Sequence, residues 1–130
     1  MALFPFISSW LPVGLWAGLI YYLSSIPHLG TGWGIWDLIL RKMAHVFEFA
    51  MLTALLIRAF RRTQAFRTRA SILGWSSAIS VLYAMSDEFH QSFTPGRGPS
   101  VRDVLIDGCG VFLSVWVLRN RCLERRSEAS

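Results

Sequence analysis

Four stretches of the 130-residue chain are apolar over a length close to what a bilayer demands, and three polar or breaker-rich connections separate them. A spanning helix needs about 20 mostly apolar residues, because roughly 30 Å of hydrocarbon must be crossed at about 1.5 Å per residue. The first stretch, residues 3–25, carries no charge. The second, 37–60, holds Arg41, Lys42, His45 and Glu48 in its first half. The third, 71–91, is uncharged until Asp87 and Glu88, and the fourth, 103–118, is short and carries Asp107. Between them lie 26–36, rich in Gly with Pro27; 61–70, rich in Arg; and 92–102, broken by Pro95, Gly96, Gly98 and Pro99. The pattern predicts an all-α fold, a four-transmembrane-helix bundle making one integral membrane domain over 1–130, without internal repeats.

The basic residues orient that bundle. Arg58, Arg61, Arg62, Arg67 and Arg69 surround the second connection and Arg119, Arg121, Arg125 and Arg126 follow the last helix, nine of the thirteen Lys and Arg in the chain. Positive charge in short loops stays in the cytoplasm. Both termini are therefore expected inside, with 26–36 and 92–102 outside and Trp33 and Trp36 at the outer interface as an aromatic belt.

Four antiparallel helices in succession bring the start of the second, the end of the third and the start of the fourth to one face, where the intramembrane charges lie. At about 100° per residue, Arg41, Lys42, His45 and Glu48 fall within an arc of roughly 120°. Asp87, Glu88 and Gln91 share about 100°, and Asp103, Asp107 and Gly110 about 60°. Each helix thus offers one polar stripe. An ionisable group at the bilayer centre costs about 2.5 to 3.5 kcal/mol or more, so the stripes are expected to face one another around a polar or hydrated pocket. Gly110, without a side chain, would let the fourth helix approach closely. The plainer reading is that Arg41, Lys42, Arg97 and Arg102 pair with Glu48, Asp87, Glu88, Asp103 and Asp107 as structural clips. Hydrophobic replacements of buried ion pairs are often as stable, so clips alone rarely account for so many charges in so short a chain, and the pocket reading is preferred. Arg41 and Arg102 read as interfacial snorkelers, and His28 and His90 as loop surface.

Composition sharpens the class. The chain is 53% hydrophobic, with 6 Trp, 9 Phe and 3 Tyr, and its mean hydropathy is +0.42. That is a composition for lipid rather than water. A net charge of +5 raises nucleic acid as a partner, but the bases come in short bursts between apolar runs and form no basic face, so no nucleic acid is expected. Met1 to Phe6 lacks the positive start of a secretory signal, so the first segment is expected to remain as an anchor. Cys109 and Cys122 are thirteen positions apart, about 20 Å of helix, and give no disulfide framework or metal knuckle.

The chain resembles the VanZ-like membrane proteins. The resemblance rests on Ser24-Ser25-x-Pro27, Lys42-x-x-His45-x-x-Glu48-Phe49, Asp87-Glu88-x-x-Gln91 with Pro95-Gly96-Arg97, and Arg102-Asp103-Val104-x-x-Asp107-x-x-Gly110, an ordered set from about Ser24 to Gly110. The family usually carries an aromatic or another polar group where Glu48 stands, and often Asn where Asp107 stands. The resemblance implies a multi-pass protein of the bacterial cytoplasmic membrane, the namesake being linked to low-level teicoplanin resistance. It brings no established reaction, and the chain shows no nucleotide or coenzyme fingerprint.

Three functions compete. In the first, the outer pocket binds an anionic lipid-linked or cell-envelope molecule, with Lys42 and Arg97 holding phosphate or carboxylate and His45, Asp87, Glu88, Gln91, Asp103 and Asp107 completing the site. In the second, the pocket is an enzyme acting on a lipid-linked phosphate or envelope precursor: His45 or Glu48 is the general base, and Asp87, Glu88, Asp103 and Asp107 shuttle protons or hold a divalent cation, the one cofactor these residues could take. Ser24 and Ser25 enter as nucleophiles only if the outer end of the first helix joins the pocket; helix-end hydrogen bonds are their plainer role. In the third, the chain is a subunit whose charges pair with a membrane partner or a second copy. A lone charged stripe facing lipid would favour that reading, and stripes converging within one chain would favour a self-contained pocket.

Overall fold

The computed structural model describes residues 3–27, 34–95 and 100–127. They form four helices, α1 (Leu3–Ser24), α2 (Ile35–Thr63), α3 (Arg69–Gln91) and α4 (Val101–Ser127), and no strand. The helix bounds follow local chemistry. α2 closes with Gln64 in the left-handed region (φ 50°), its N–H on the Phe60 carbonyl, and with Arg61 and Arg62 in the last turn, where positive charge suits the helix dipole. α3 opens on Thr68, whose hydroxyl accepts the Ser71 N–H at 3.1 Å. α4 continues nine residues past the expected end of its apolar segment, because Leu, Arg and Glu beyond Leu118 keep a high helix propensity after hydropathy has fallen. Its 27 residues span about 40 Å, more than the ~30 Å of a hydrocarbon core.

α2 and α3 each touch every other helix, while α1 and α4 do not meet and flank that central pair. The apolar core gathers on the second half of α2, where Phe49, Leu52, Leu56 and Phe60 pack with Ile20, Ala84 and Val111. Trp10 meets Phe60 edge-on at 5.2 Å, and Phe66 meets Phe60 at 5.0 Å. At this basic end Arg69 donates to the carbonyls of Leu118 and Arg119 at 3.1 and 3.0 Å, tying the start of α3 to α4.

Polarity runs inside out. Ser9, Ser24, Thr53, Ser76, Ser80, Asp87, Glu88, Gln91, Asp107 and Ser114 are buried, while Leu15, Trp36, Leu82 and Phe112, one from each helix, are 61 to 71% exposed. In water such an exterior would be a large exposed apolar patch; in lipid it is the expected contact surface. Some hydroxyls find partners across helices: Thr53 lies 2.8 Å from Ser80, and Tyr83 donates to the Ala17 carbonyl at 2.7 Å; Ser9 instead bonds the Pro5 carbonyl of its own helix at 2.7 Å. α1 and α2 are long and apolar enough to cross a membrane; α3 and α4, diluted by serines and charges, do not meet the same measure.

Candidate functional site

The site occupies the end of the bundle opposite the arginine-rich connection between α2 and α3, and its frame is the α2–α4 seam. Both helices begin at this end, so they run in parallel. Lys42 on α2 donates to Asp103 Oδ1 on α4, and one turn deeper His45 Nδ1 lies 3.0 Å from Asp107 Oδ1. The two pairs are separated by 61 and 62 positions, a constant register that makes them successive rungs. Their environments differ: the side chains of Lys42 and Asp103 are 28% and 23% exposed, whereas Asp107 is fully buried and His45 is 12% exposed. A third contact fixes the seam. A Cβ on Gly110 would fall on the Val46 carbonyl oxygen and lie 3.0 Å from the Ala50 nitrogen, so only glycine permits this approach.

The α1–α3 side holds a second cluster. Ser24 donates to Asp87 Oδ1, and Gln91 Nε2 donates to Asp87 Oδ2 at 2.7 Å and to the Ser24 hydroxyl at 3.0 Å. All three side chains are buried, and the Asp87 carboxylate is held by neutral donors on both oxygens. Glu88, one residue on, turns to α4: its Oε2 accepts the backbone N–H of Ser100 at 3.0 Å, just before that helix begins. A carboxylate there satisfies an N-terminal amide and complements the helix dipole.

The clusters form one electrostatic neighbourhood. Asp107 is within Coulombic reach of His45, Asp87 and Asp103, and Glu88 within reach of Asp103, Asp107 and His45. Glu48 is half-buried and acts on His45 through the same field, while its backbone carbonyl accepts the Trp16 indole N–H at 2.9 Å. The stripes of α2, α3 and α4 therefore converge within one chain. Among the described residues, however, they are not a balanced ionic set. The buried carboxyls are Asp87, Glu88 and Asp107, the Lys42 ammonium is engaged by Asp103 nearer the surface, and Arg102 is exposed. Glu88 Oε1 and Asp107 Oδ2 are buried without a hydrogen-bond partner among these residues. No set of three His, Cys, Asp or Glu arranged to hold a metal ion occurs among them either.

Arg97 lies outside the described residues, as do His28, Gly30, Trp33 and Gly98. His90 is not loop surface: it sits in the last turn of α3, stacked on Tyr21 at 4.3 Å with Nε2 3.0 Å from the Ser25 hydroxyl. Ser25 also bonds the Tyr21 carbonyl at 2.7 Å, a helix-end contact. The residue hardest to place from sequence is Ser24. Its link to Asp87 joins the end of α1 to the site, and its only prior signal was the Ser24-Ser25-x-Pro27 motif.

A helical chain with an apolar exterior, two helices long and apolar enough to cross a membrane and buried carboxyls at one end of its bundle has the character of a membrane protein. The family model described as VanZ/LLP1 matches residues 1–123. The chain belongs to that family. Comparison with curated proteins and with solved structures gave no match.

Proposed function

We propose that this VanZ-like chain crosses the bacterial cytoplasmic membrane four times, with both termini in the cytoplasm, and binds an anionic lipid-linked or cell-envelope molecule at its outer face. The observation that carries the reading is the Lys42–Asp103 pair: a cation, part exposed, held in place by a carboxylate at the mouth of the buried cluster. An ammonium fixed this way is pre-organised for a phosphate or carboxylate, which gains a charge-assisted hydrogen bond without first ordering the side chain. His45, oriented by Asp107 one turn deeper, offers a second donor through Nε2 when its ring is protonated. Glycopeptide (teicoplanin-type) resistance is the cellular role that fits such an envelope ligand. Convergence of three stripes within one chain supports a self-contained site over a subunit awaiting its partner.

A second reading has one observation in its favour. His45 paired with Asp107 is the arrangement of an oriented general base, so the pocket can also be read as an enzyme acting on a lipid-linked phosphate. Lys42 separates the two. Purified protein in lipid nanodiscs, analysed by native mass spectrometry, is expected to carry an anionic lipid or precursor that Lys42→Met removes. Pairing Lys42→Met with Asp103→Asn is expected to restore thermal stability by removing both stranded charges and to restore no binding. Retention of the anionic ligand by the double variant would overturn the binding reading. Turnover of that ligand, lost in His45→Gln, would favour the enzyme.

A further inference from the structure

On the outer side of the α2–α4 seam runs an apolar groove of about 490 Å³, and Lys42 is the one charged residue lining it among the described residues. Leu38, Lys42, Val46 and Ala50 recur at four-residue spacing along α2, Phe47 stands beside them, and Leu113 closes the wall from α4. From Leu38 to Ala50 the groove follows twelve residues of helix, about 18 Å, close to the roughly 15 Å that one leaflet contributes to a ~30 Å core. Leu38, Phe47 and Leu113 are each about half exposed, so the groove opens sideways to lipid rather than upward to water. Helical side chains lean toward the helix N-terminus, so the Lys42 stem points its ammonium toward the headgroup end while its methylenes line the groove.

We infer that this groove seats one hydrocarbon chain of an anionic phospholipid from the same leaflet, with its phosphate at Lys42. The inference rests on the binding reading above and adds to it the part of the ligand that the charged cluster does not touch. Two features single out this occupant: a leaflet-length apolar trough, and a part-exposed lysine ammonium, held in place by Asp103, at the end where that leaflet keeps its phosphates. A free phosphate would use the charge and leave the trough empty; a neutral lipid would use the trough and ignore the charge.

The test uses full-length protein in nanodiscs with two photoreactive probes, phosphatidylglycerol and phosphatidylcholine, each carrying a diazirine in one acyl chain. Phosphatidylglycerol is expected to label the Leu38–Ala50 segment about tenfold more than phosphatidylcholine, the selectivity of one charge-assisted contact. Leu113→Trp, an apolar enlargement at an exposed position, is expected to cut that labelling several-fold by filling the trough, while Leu105→Trp, exposed on α4 outside it, leaves labelling unchanged. The Lys42→Met/Asp103→Asn pair, chosen so that no charge is stranded, is expected to bring phosphatidylglycerol down to the phosphatidylcholine level. Labelling that falls with the Lys42 variant but not with Leu113→Trp overturns the groove and leaves the headgroup reading intact. Labelling without anionic preference, or indifferent to Lys42, overturns both and shows an annular lipid only.

Discussion

The two rungs of the α2–α4 seam carry the same kind of pair and different risks. Lys42 and Asp103 retain contact with the surroundings, so removing Lys42 leaves an acid that water or a headgroup can still solvate, at a cost of about 1 to 3 kcal/mol. Asp107 has no such outlet, being fully buried and already carrying one unpartnered oxygen. His45→Ala is therefore expected to destabilise the protein more than Lys42→Met, by roughly 3 to 5 kcal/mol, and His45→Ala/Asp107→Asn to recover much of the loss. Thermal melts of the detergent-solubilised variants give the order directly. A His45→Ala protein that melts with wild type would mean that the deeper rung contributes nothing to the seam. Asp87 shows a different solution to the same problem, since Ser24 and Gln91, neutral donors, supply its hydrogen bonds.

At the scale of the helices, the seam depends on one missing side chain. Gly110→Ala would drive a methyl group into the Val46 carbonyl, a backbone atom that cannot swing aside, so α4 must shift and both rungs with it. The expected cost is about 1 to 3 kcal/mol, with loss of anionic-lipid labelling as a second readout. Gly108, two residues earlier on the same helix, has nothing within 4 Å of the same added atom. Gly108→Ala is expected to be neutral or to stabilise by up to about 1 kcal/mol, the gain in helix propensity. Equal effects of the two substitutions on the melting temperature would remove Gly110 from its role in the seam. The spacing of Asp103, Asp107 and Gly110 along one face is thus a packing statement as well as a chemical one.

For the whole molecule, the proposed orientation makes the arginine-rich end cytoplasmic and the Lys42 end external. After Cys109 and Cys122 are replaced by Ser, single cysteines at Pro95 and Gln64, both exposed and at opposite ends of the bundle, report on it. A membrane-impermeant maleimide added to intact cells is expected to label position 95 and to reach position 64 only after lysis. The reverse pattern would turn the bundle over and place the candidate site in the cytoplasmic leaflet, ending the link to an external envelope ligand.

Four apolar runs, the breakers between them and the polar stripe on each of α2, α3 and α4 are local properties. Helix formation, hydropathy and the 3.6-residue period depend on neighbours in the chain, which is why these features are legible in the sequence alone. Even the close approach at Gly110 was visible as an absent side chain facing inward. The pairings could not be read in the same way. A stripe fixes the angle at which Lys42 or His45 leaves its helix, but Asp87, Glu88, Asp103 and Asp107 all stood at acceptable angles on other helices. Tertiary structure chose among them by setting α2 parallel to α4 in a register of 61 to 62 residues. The same packing left Asp87 to Ser24 and Gln91, and Glu88 to the Ser100 amide. The reason is physical: a charged side chain in a lipid-facing bundle pairs with whichever group the adjoining backbone brings within about 3 Å, and that distance is decided by where two helices can touch, which no single segment encodes.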